Sequence, residues 1–475
     1  MTHIKPTLQT LTDSQIEQVH YQALAILGRV GVRVDSERAR KLFAKAGAKL
    51  EDDHTVKLSP QIVAAAIESA PSRVDIYDRN GKSIIHLDGE DQQQPYFGIG
   101  VTNLHYQEPQ TDEIVPFTRA HMAAAVRLGH TLNAFDLVST IGIINDVPPE
   151  VADFYETLEM VANTTKPLML LVSEESNFPH VLDMLTDLHG DLPPKPFVVP
   201  YFNPITPLII NTATVDKMFA TIERGLPFIY SSYGMAGATT PVTAGGTLAL
   251  LTAELLAGLV LSQLIQPGTP IILGMLPAYF DMRQMLSFYA PQTFLLNLAC
   301  AEMLAHYGLP HAGTSGSGNG WETDLVTAGE QWLNHLTAFT GKVGLVPFVG
   351  GNFDSLVFSP LTVAYVAEVI AAARSFSEGF ALDVDIDEIE AVGPGGNFLT
   401  SESTLAHYRQ MYRSAVFERL SLEAWREKGQ PKALEQLRAH TLELMRNPKI
   451  PIDHDALIEK GEAFIQQFVQ KNPCT

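Results

Sequence analysis

Between residues 95 and 376, short apolar runs rich in β-branched and aromatic residues recur at 96–101, 135–143, 167–172, 197–202, 228–233, 271–275, 311–315 and 344–349. A stretch long enough for a helix follows each one, with starts near Thr118, Glu150, Asn177, Thr212, Gly245, Pro291, Thr323 and Leu361. Thr or Asn at several of these starts can accept the free N–H groups of a first turn, and nearby Pro suits the first helical position. Parallel strands need a crossover between them, usually a helix. Eight strands alternating with eight helices therefore predict an α/β fold, a (β/α)8 TIM barrel of ordinary size, about 250 residues. An open doubly wound sheet is the alternative, but it normally begins with Gly-x-Gly-x-x-Gly. Here Gly98 and Gly100 are followed by Asn103 at the third glycine position, so the barrel is the expected fold.

The flanks differ. Residues 1–94 are expected to form a helical and β-hairpin extension, 95–378 the barrel and 379–475 a C-terminal helical region. Thr12, Ser36 and Ser59 each precede an amphipathic stretch, Ser59 with Pro60 behind it, the signature of a capped helix start. The alternation around Asn80-Gly81 predicts a hairpin closed by a type I′ turn. Gly81-Lys82-Ser83 resembles the end of a phosphate loop, but the partner glycine position, 76, is Ile. The apolar stretch 248–265 contains Glu254 and is flanked by Gly and Pro, which fits a buried helix better than a membrane span.

The net charge of −21 disfavours phosphate backbones and anionic membranes, so neither nucleic acid nor membrane is an expected partner. Cys300 and Cys474 are the only cysteines, too few for structural zinc, an iron–sulfur cluster or a disulfide scaffold. The first fifteen residues carry no basic segment followed by an apolar one, and the expected location is the cytoplasm.

Barrel chemistry sits at the C-terminal ends of the strands. Those ends are dense in aromatic residues and glycine and hold no Ser-His-Asp set, no His-Glu-x-x-His and no His pair at ligand spacing. No metal site is expected. Aromatic walls with little acid/base apparatus suit a quaternary ammonium ion, held at ~0.5–2 kcal/mol per ring by cation–π attraction. Phe97, Tyr201, Tyr233, Phe280 and Trp321 are the candidate cage. Asn103, His105, Asn203, Arg283, His311 and Asn352 are candidates for a substrate carboxylate, and the glycines Gly234, Gly237, Gly313 and Gly316 let backbone approach a large flat ligand.

The strand-seven segment HAGTSGSGNGWETDLVTAGEQW, the strand-one segment YFGIGVTNLHYQ and the late GPGGNFLTSESTLAHYRQMYRSAVFERLSLEAW resemble the trimethylamine methyltransferase superfamily of corrinoid-dependent methyltransferases. The resemblance runs over essentially the whole chain. It implies a barrel that moves a methyl group from a methylated amine to cob(I)alamin carried by a small partner corrinoid protein, and a homo-oligomer. Archaeal trimethylamine enzymes of that family carry an in-frame pyrrolysine in the strand-seven neighbourhood, where this chain reads Ser317-Gly318-Asn319-Gly320-Trp321. It therefore resembles the branch acting on quaternary amines such as glycine betaine, proline betaine or carnitine. The family pattern D-x-Q-A-G-x-E is kept at its ends, Asp324 and Glu330, with Val326-Thr327-Ala328 between them. On that basis Glu330 is the candidate catalytic residue, and Thr314, Ser315 and the glycines beside them are expected to face the corrin. A quaternary nitrogen leaves as a neutral tertiary amine, so no general acid is needed. Asp187-Leu188-His189 begins a D-x-H-x-x-G cobalamin signature, but position 192 is Leu, so no cobalamin is expected to be held permanently by this chain.

Overall fold

The computed structural model describes residues 3–314 and 316–472. The expected runs become β1 (Tyr96–Ile99), β2 (Leu137–Ser139), β3 (Leu168–Leu170), β4 (Val198–Phe202), β5 (Phe228–Ala236), β6 (Ile271–Asp281), β7 (His311–Ala312) and β8 (Leu345–Val349). Between them lie α1 (Arg119–Thr131), α2 (Pro149–Asn163), α3 (Phe178–His189), α4 (Thr212–Ile222), α5 (Ala244–Ile265), α6 (Pro291–His306) and α7 (Leu325–Thr340), with α8 (Pro360–Glu378) after β8. The eight strands are parallel and pair in chain order from β1 to β7. β8 returns to pair with β1 through Leu345–Tyr96 and Val346–Phe97. Across the remaining seam Gly313 N donates to Leu345 O at 2.9 Å. The sheet thus curls until its last strand lies between its first and its seventh.

Local sequence explains the helix starts. The Thr118 hydroxyl accepts from His121 N while His121 Nδ1 accepts from Thr118 N, a reciprocal cap. Asn211, Asp324 and Ser359 cap α4, α7 and α8 one way only, each side chain accepting from a first-turn N–H, and Pro360 follows Ser359. The apolar stretch around Glu254 is α5, 83% buried in its most apolar window. It packs on β5, β6 and the N-terminal helices Asp13–Arg29 and Pro60–Ser69, which is why it is apolar on every side.

The hairpin Arg73–Tyr77/Ser83–Asp88 closes the N-terminal end of the sheet. Its Val74, Ile76, Ile85 and Leu87 share one buried cluster with the inward residues Leu137, Met169, Val199, Ile229, Ile272 and Leu345. Its turn is not the expected type I′. Gly81 has φ +78°, but Asn80 is not in the left-handed region, and Gly81 N donates to Asp78 O at 2.9 Å. That is a type I turn followed by a left-handed glycine. The change leaves Arg79 buried, with Nη2 donating to Asp453 Oδ1 at 2.9 Å.

That ion pair ties the hairpin to the C-terminal region. Helix Ala433–Arg446 packs on α8 and α1, and helix His454–Lys471 packs on α2 and α3. Arg119 adds a second tie, bonding Glu159 at 2.7 Å and Glu462 at 2.9 Å. By contrast, the short helices Ile386–Val392 and Glu402–His407 bury no residue.

Candidate active site

Side chains alternate between the two faces of a strand. The inward set continues past the hairpin plug through Ser139, Leu171, Tyr201, Ser231 and Leu276 toward the strand ends. The ring of Tyr201 meets that of Phe348 edge-on, 5.3 Å between centroids. Ser139 Oγ donates to Pro347 O at 2.9 Å, and a Cβ on Gly274 would lie 2.6 Å from Ser231 Oγ. Tyr201 and Phe348 therefore form a floor, and Tyr233, half-buried, packs on the same cluster. Burial holds the Tyr201 phenol above its ordinary range, and Asn203 Nδ2 donates to its oxygen at 3.4 Å.

Near Tyr233 stands a carboxylate that is not among the residues expected from the sequence. Ser287 Oγ donates to Asp354 Oδ2, Tyr289 donates a further hydrogen bond, and burial pushes the Asp354 carboxyl up to about 6. Burial first, and then the nearby Asp354 charge, push the Tyr233 phenol up to about 12. Phe353, Asp354 and Ser355 have φ of 50°, 55° and 68°, three successive non-glycine residues in a conformation that costs of order 1–3 kcal/mol each. The loop after β7 holds them there. Asp354 N donates to Gly318 O and Phe353 N to Gly320 O, both at 3.0 Å. On the far side Asn103 Nδ2 donates to Ser355 O at 2.6 Å. A signal existed in the sequence, a carboxylate two residues after Asn352, but no motif distinguishes it from other loop acids.

Glu330 supports that loop. Its Oε2 accepts from Asn319 N at 2.8 Å and Gly320 N at 3.3 Å. Burial raises its carboxyl pKa and these bonds oppose the rise. Asn319 in turn accepts from Tyr289 N and donates to Ser287 O, so Glu330 reaches Asp354 through two residues, Asn319 and Ser287.

The predicted residues divide. Tyr201, Asn203 and Tyr233 lie together on the inward side. Asn103 is fully buried and braces the Asp354 segment, while Asn352 is buried against Gln107 and Thr362. His105 starts the strand His105–Gln107, which pairs with Val357–Phe358 beside the mouth. Phe280 lies where β6 extends into a hairpin with Leu286–Phe288, and Arg283 is exposed near its turn.

Others are corrected. Phe97 is fully buried on the outward side of β1, stacked 5.6 Å from His335 and tilted against Phe339 at 5.3 Å, both of α7, because strand alternation turns it from Tyr96 and Gly98. His311 is buried where β7 begins, with both ring nitrogens on carbonyls, Leu309 and Lys342. Trp321 is 64% exposed and is held by its backbone oxygen, on Gln107.

Among the glycines, added Cβ atoms on Gly234, Gly313 and Gly316 would strike Leu251, Val343 and Val346 within 3 Å, so these serve backbone packing rather than a flat ligand. At Gly237, φ +100°, an added Cβ would only touch Val242, 3.7 Å away, so the constraint there is the backbone conformation. Thr314 is buried with an unpartnered Oγ1, and Ser315 lies outside the described residues. No grouping of three or more His, Cys, Asp or Glu able to hold a metal occurs among the described residues.

Aromatic rings, hydroxyls and one buried carboxylate can hold an organic cation; they offer little else. The sequence matches the trimethylamine methyltransferase (MTTB) family over residues 1–472. The chain belongs to that family. As a member of the trimethylamine methyltransferase family it is a methyltransferase. It is similar, at 27% identity, to the trimethylamine methyltransferase of Desulfitobacterium hafniense DCB-2 (98% of this chain, 94% of the relative). It is equally similar, 27% over 98% of each chain, to the glycine betaine methyltransferase of Desulfitobacterium hafniense Y51. The solved monomethylamine methyltransferase of Methanosarcina barkeri aligns over 93% of this chain and 95% of its own, with TM-score 0.48 and 11% identity.

Proposed function

We propose that this methyltransferase takes its methyl group from a quaternary amine, glycine betaine first among candidates, and passes it to cob(I)alamin carried by a separate small corrinoid protein. The observation that carries the reading is the Asp354 carboxylate set beside Tyr233, which packs on the cluster that holds the Tyr201–Phe348 pair. A fixed cation gains from both groups, the carboxylate by charge and the rings by their quadrupole.

Cob(I)alamin supplies the nucleophile. The chain's own residues have the work of orientation: the rings grip the ammonium, the loop after β7 fixes Asp354, and one methyl is left pointing out of the mouth. A methyl held in line at near-attack distance needs little further help. The departing tertiary amine is neutral, so no proton has to be delivered at the moment of transfer. That the acceptor arrives on a partner is supported at His189, which would otherwise be the cobalt ligand. It ends α3, its ring packed 4.7 Å from Phe197, and neighbouring Asp187 pairs with Lys460.

The same reading takes the curled sheet as a closed (β/α)8 barrel, supported by the Gly313–Leu345 bond, with 1–94 and 379–475 as its extensions. It also takes the enzyme as a homo-oligomer. Supporting this, Phe380, Leu382, Val384, Ile386, Ile389 and Leu399 are each more than half exposed on one C-terminal segment, more apolar surface than a solitary chain ordinarily leaves wet. The decisive assay is anaerobic, with reduced corrinoid protein and a panel of betaines and methylamines. Methylcobalamin formed with a quaternary amine supports the proposal; formation with trimethylamine alone would replace the substrate, and none with any amine would leave a binding protein.

A further inference from the structure

A betaine carries a carboxylate as well as an ammonium. The inward residues described above offer rings, hydroxyls and the Asp354 carboxylate, with no Lys or Arg among them. An ammonium held beside Asp354 would leave the betaine's own carboxylate a few bonds from a like charge, and like charges repel. Recognition of the zwitterion therefore needs a cation brought in from the rim.

The rim supplies one on the hairpin that already touches Asp354. Past its pairing with β5, which ends at Tyr279, β6 runs on to Asp281 and turns back into the strand Leu286–Phe288. Ser287, on the returning arm, donates to Asp354 Oδ2. Phe280 lies directly opposite Ser287, so the two share a face. Arg283 stands at the tip, about 10 Å beyond Phe280 along the arm. Its backbone N donates to Asp281 Oδ1 at 2.7 Å. Its guanidinium is exposed and has no ion pair and no hydrogen bond among the described residues. Other cations near the strand ends are taken, Arg119 by Glu159 and Glu462, and Lys217 Nζ by Val172 O at 3.1 Å. Met282 and Met285 share the turn with Arg283 and are exposed too, apolar surface whose removal from water is favourable.

We propose that Arg283 determines specificity for betaines: when one binds, the hairpin tip settles over the mouth, the guanidinium takes the carboxylate, and the two methionines leave water. The inference rests on the quaternary-amine reading above. A guanidinium suits the task because its parallel N–H groups match both carboxylate oxygens. Titration calorimetry of the full chain with glycine betaine and with tetramethylammonium chloride tests it, at a pH where Asp354 is ionised. The parent should bind both. Arg283→Gln should lower the ratio of betaine affinity to tetramethylammonium affinity at least tenfold, because the lost contact is a hydrogen bond between charged groups that tetramethylammonium cannot make. Where only betaine binds, its affinity alone should fall by that factor. An unchanged ratio, or a parent that binds tetramethylammonium and not betaine, overturns the inference and leaves the cation reading of the barrel standing. Asp354→Asn tests that reading and should weaken both ligands. If it weakens neither while Arg283→Gln lowers the ratio, the Asp354 reading falls and the role of Arg283 survives it. Binding of neither ligand by the parent overturns both.

Discussion

The ring of Tyr201 stands edge-on to Phe348, centroids 5.3 Å apart and planes at 76°, and so joins the fourth strand to the eighth across the interior of the sheet. In the proposed function this pair is the surface on which the amine's methyl groups would rest.

Tyr201→Ala should therefore raise KM for the amine by roughly 3- to 30-fold, the loss of about 0.5–2 kcal/mol of ring attraction. Tyr201→Phe should stay within threefold of the parent. Steady-state kinetics on both decide it; equal loss in the two would mean that the hydroxyl, not the ring, matters.

The Asp354 carboxyl titrates at about 6 because burial raises it. Only the ionised form attracts a cation, so affinity should be full above that value and fall as pH drops through it. The KM profile should show this acid limb in the parent and lose it in Asp354→Asn, whose affinity should be weak at every pH.

Glu330 holds two backbone N–H groups of the loop after β7. Glu330→Gln retains an acceptor and should keep turnover within a few-fold. Glu330→Ala strands both donors, costs about 1–3 kcal/mol, and should lower kcat and Tm together. If Glu330→Gln were as inactive as Glu330→Ala, with Tm unchanged, the residue would be a proton donor rather than a support.

Burial, and secondarily Asp153, raise the Glu156 carboxyl to about 8. The folded state thus keeps a proton that the unfolded chain releases near its ordinary value, about 4.3. That contribution to stability is full below the unfolded value and is lost as pH rises toward 8. Glu156→Gln should have a smaller drop in Tm between pH 5 and pH 8.5 than the parent; parallel curves would refute the shift.

Phe97→Ala offers the contrast. Because its ring packs beneath α7, the change should cost about 3–5 kcal/mol of stability. Chemical unfolding would register it, while KM of the surviving folded enzyme should be close to the parent's.

Periodicity and punctuation were enough to place the eight strands and eight helices, the capped starts at Thr12, Ser36 and Ser59, and the burial of α5, because those depend on residues near one another in the chain. Family membership was legible too, since it resides in contiguous segments such as the loop after β7. Which way a side chain faces was not. Phe97 and Tyr96 are neighbours in sequence, yet one lies under a helix and the other on the interior, a matter of strand alternation and register. His311 and Gly316 likewise carried chemistry only on paper, because their surroundings come from distant residues such as Lys342 and Val346. The Asp354 site is the clearest case. Ser287, Asn319 and Asp354 lie in three different segments, and only folding the sheet onto itself brings their atoms within hydrogen-bonding reach.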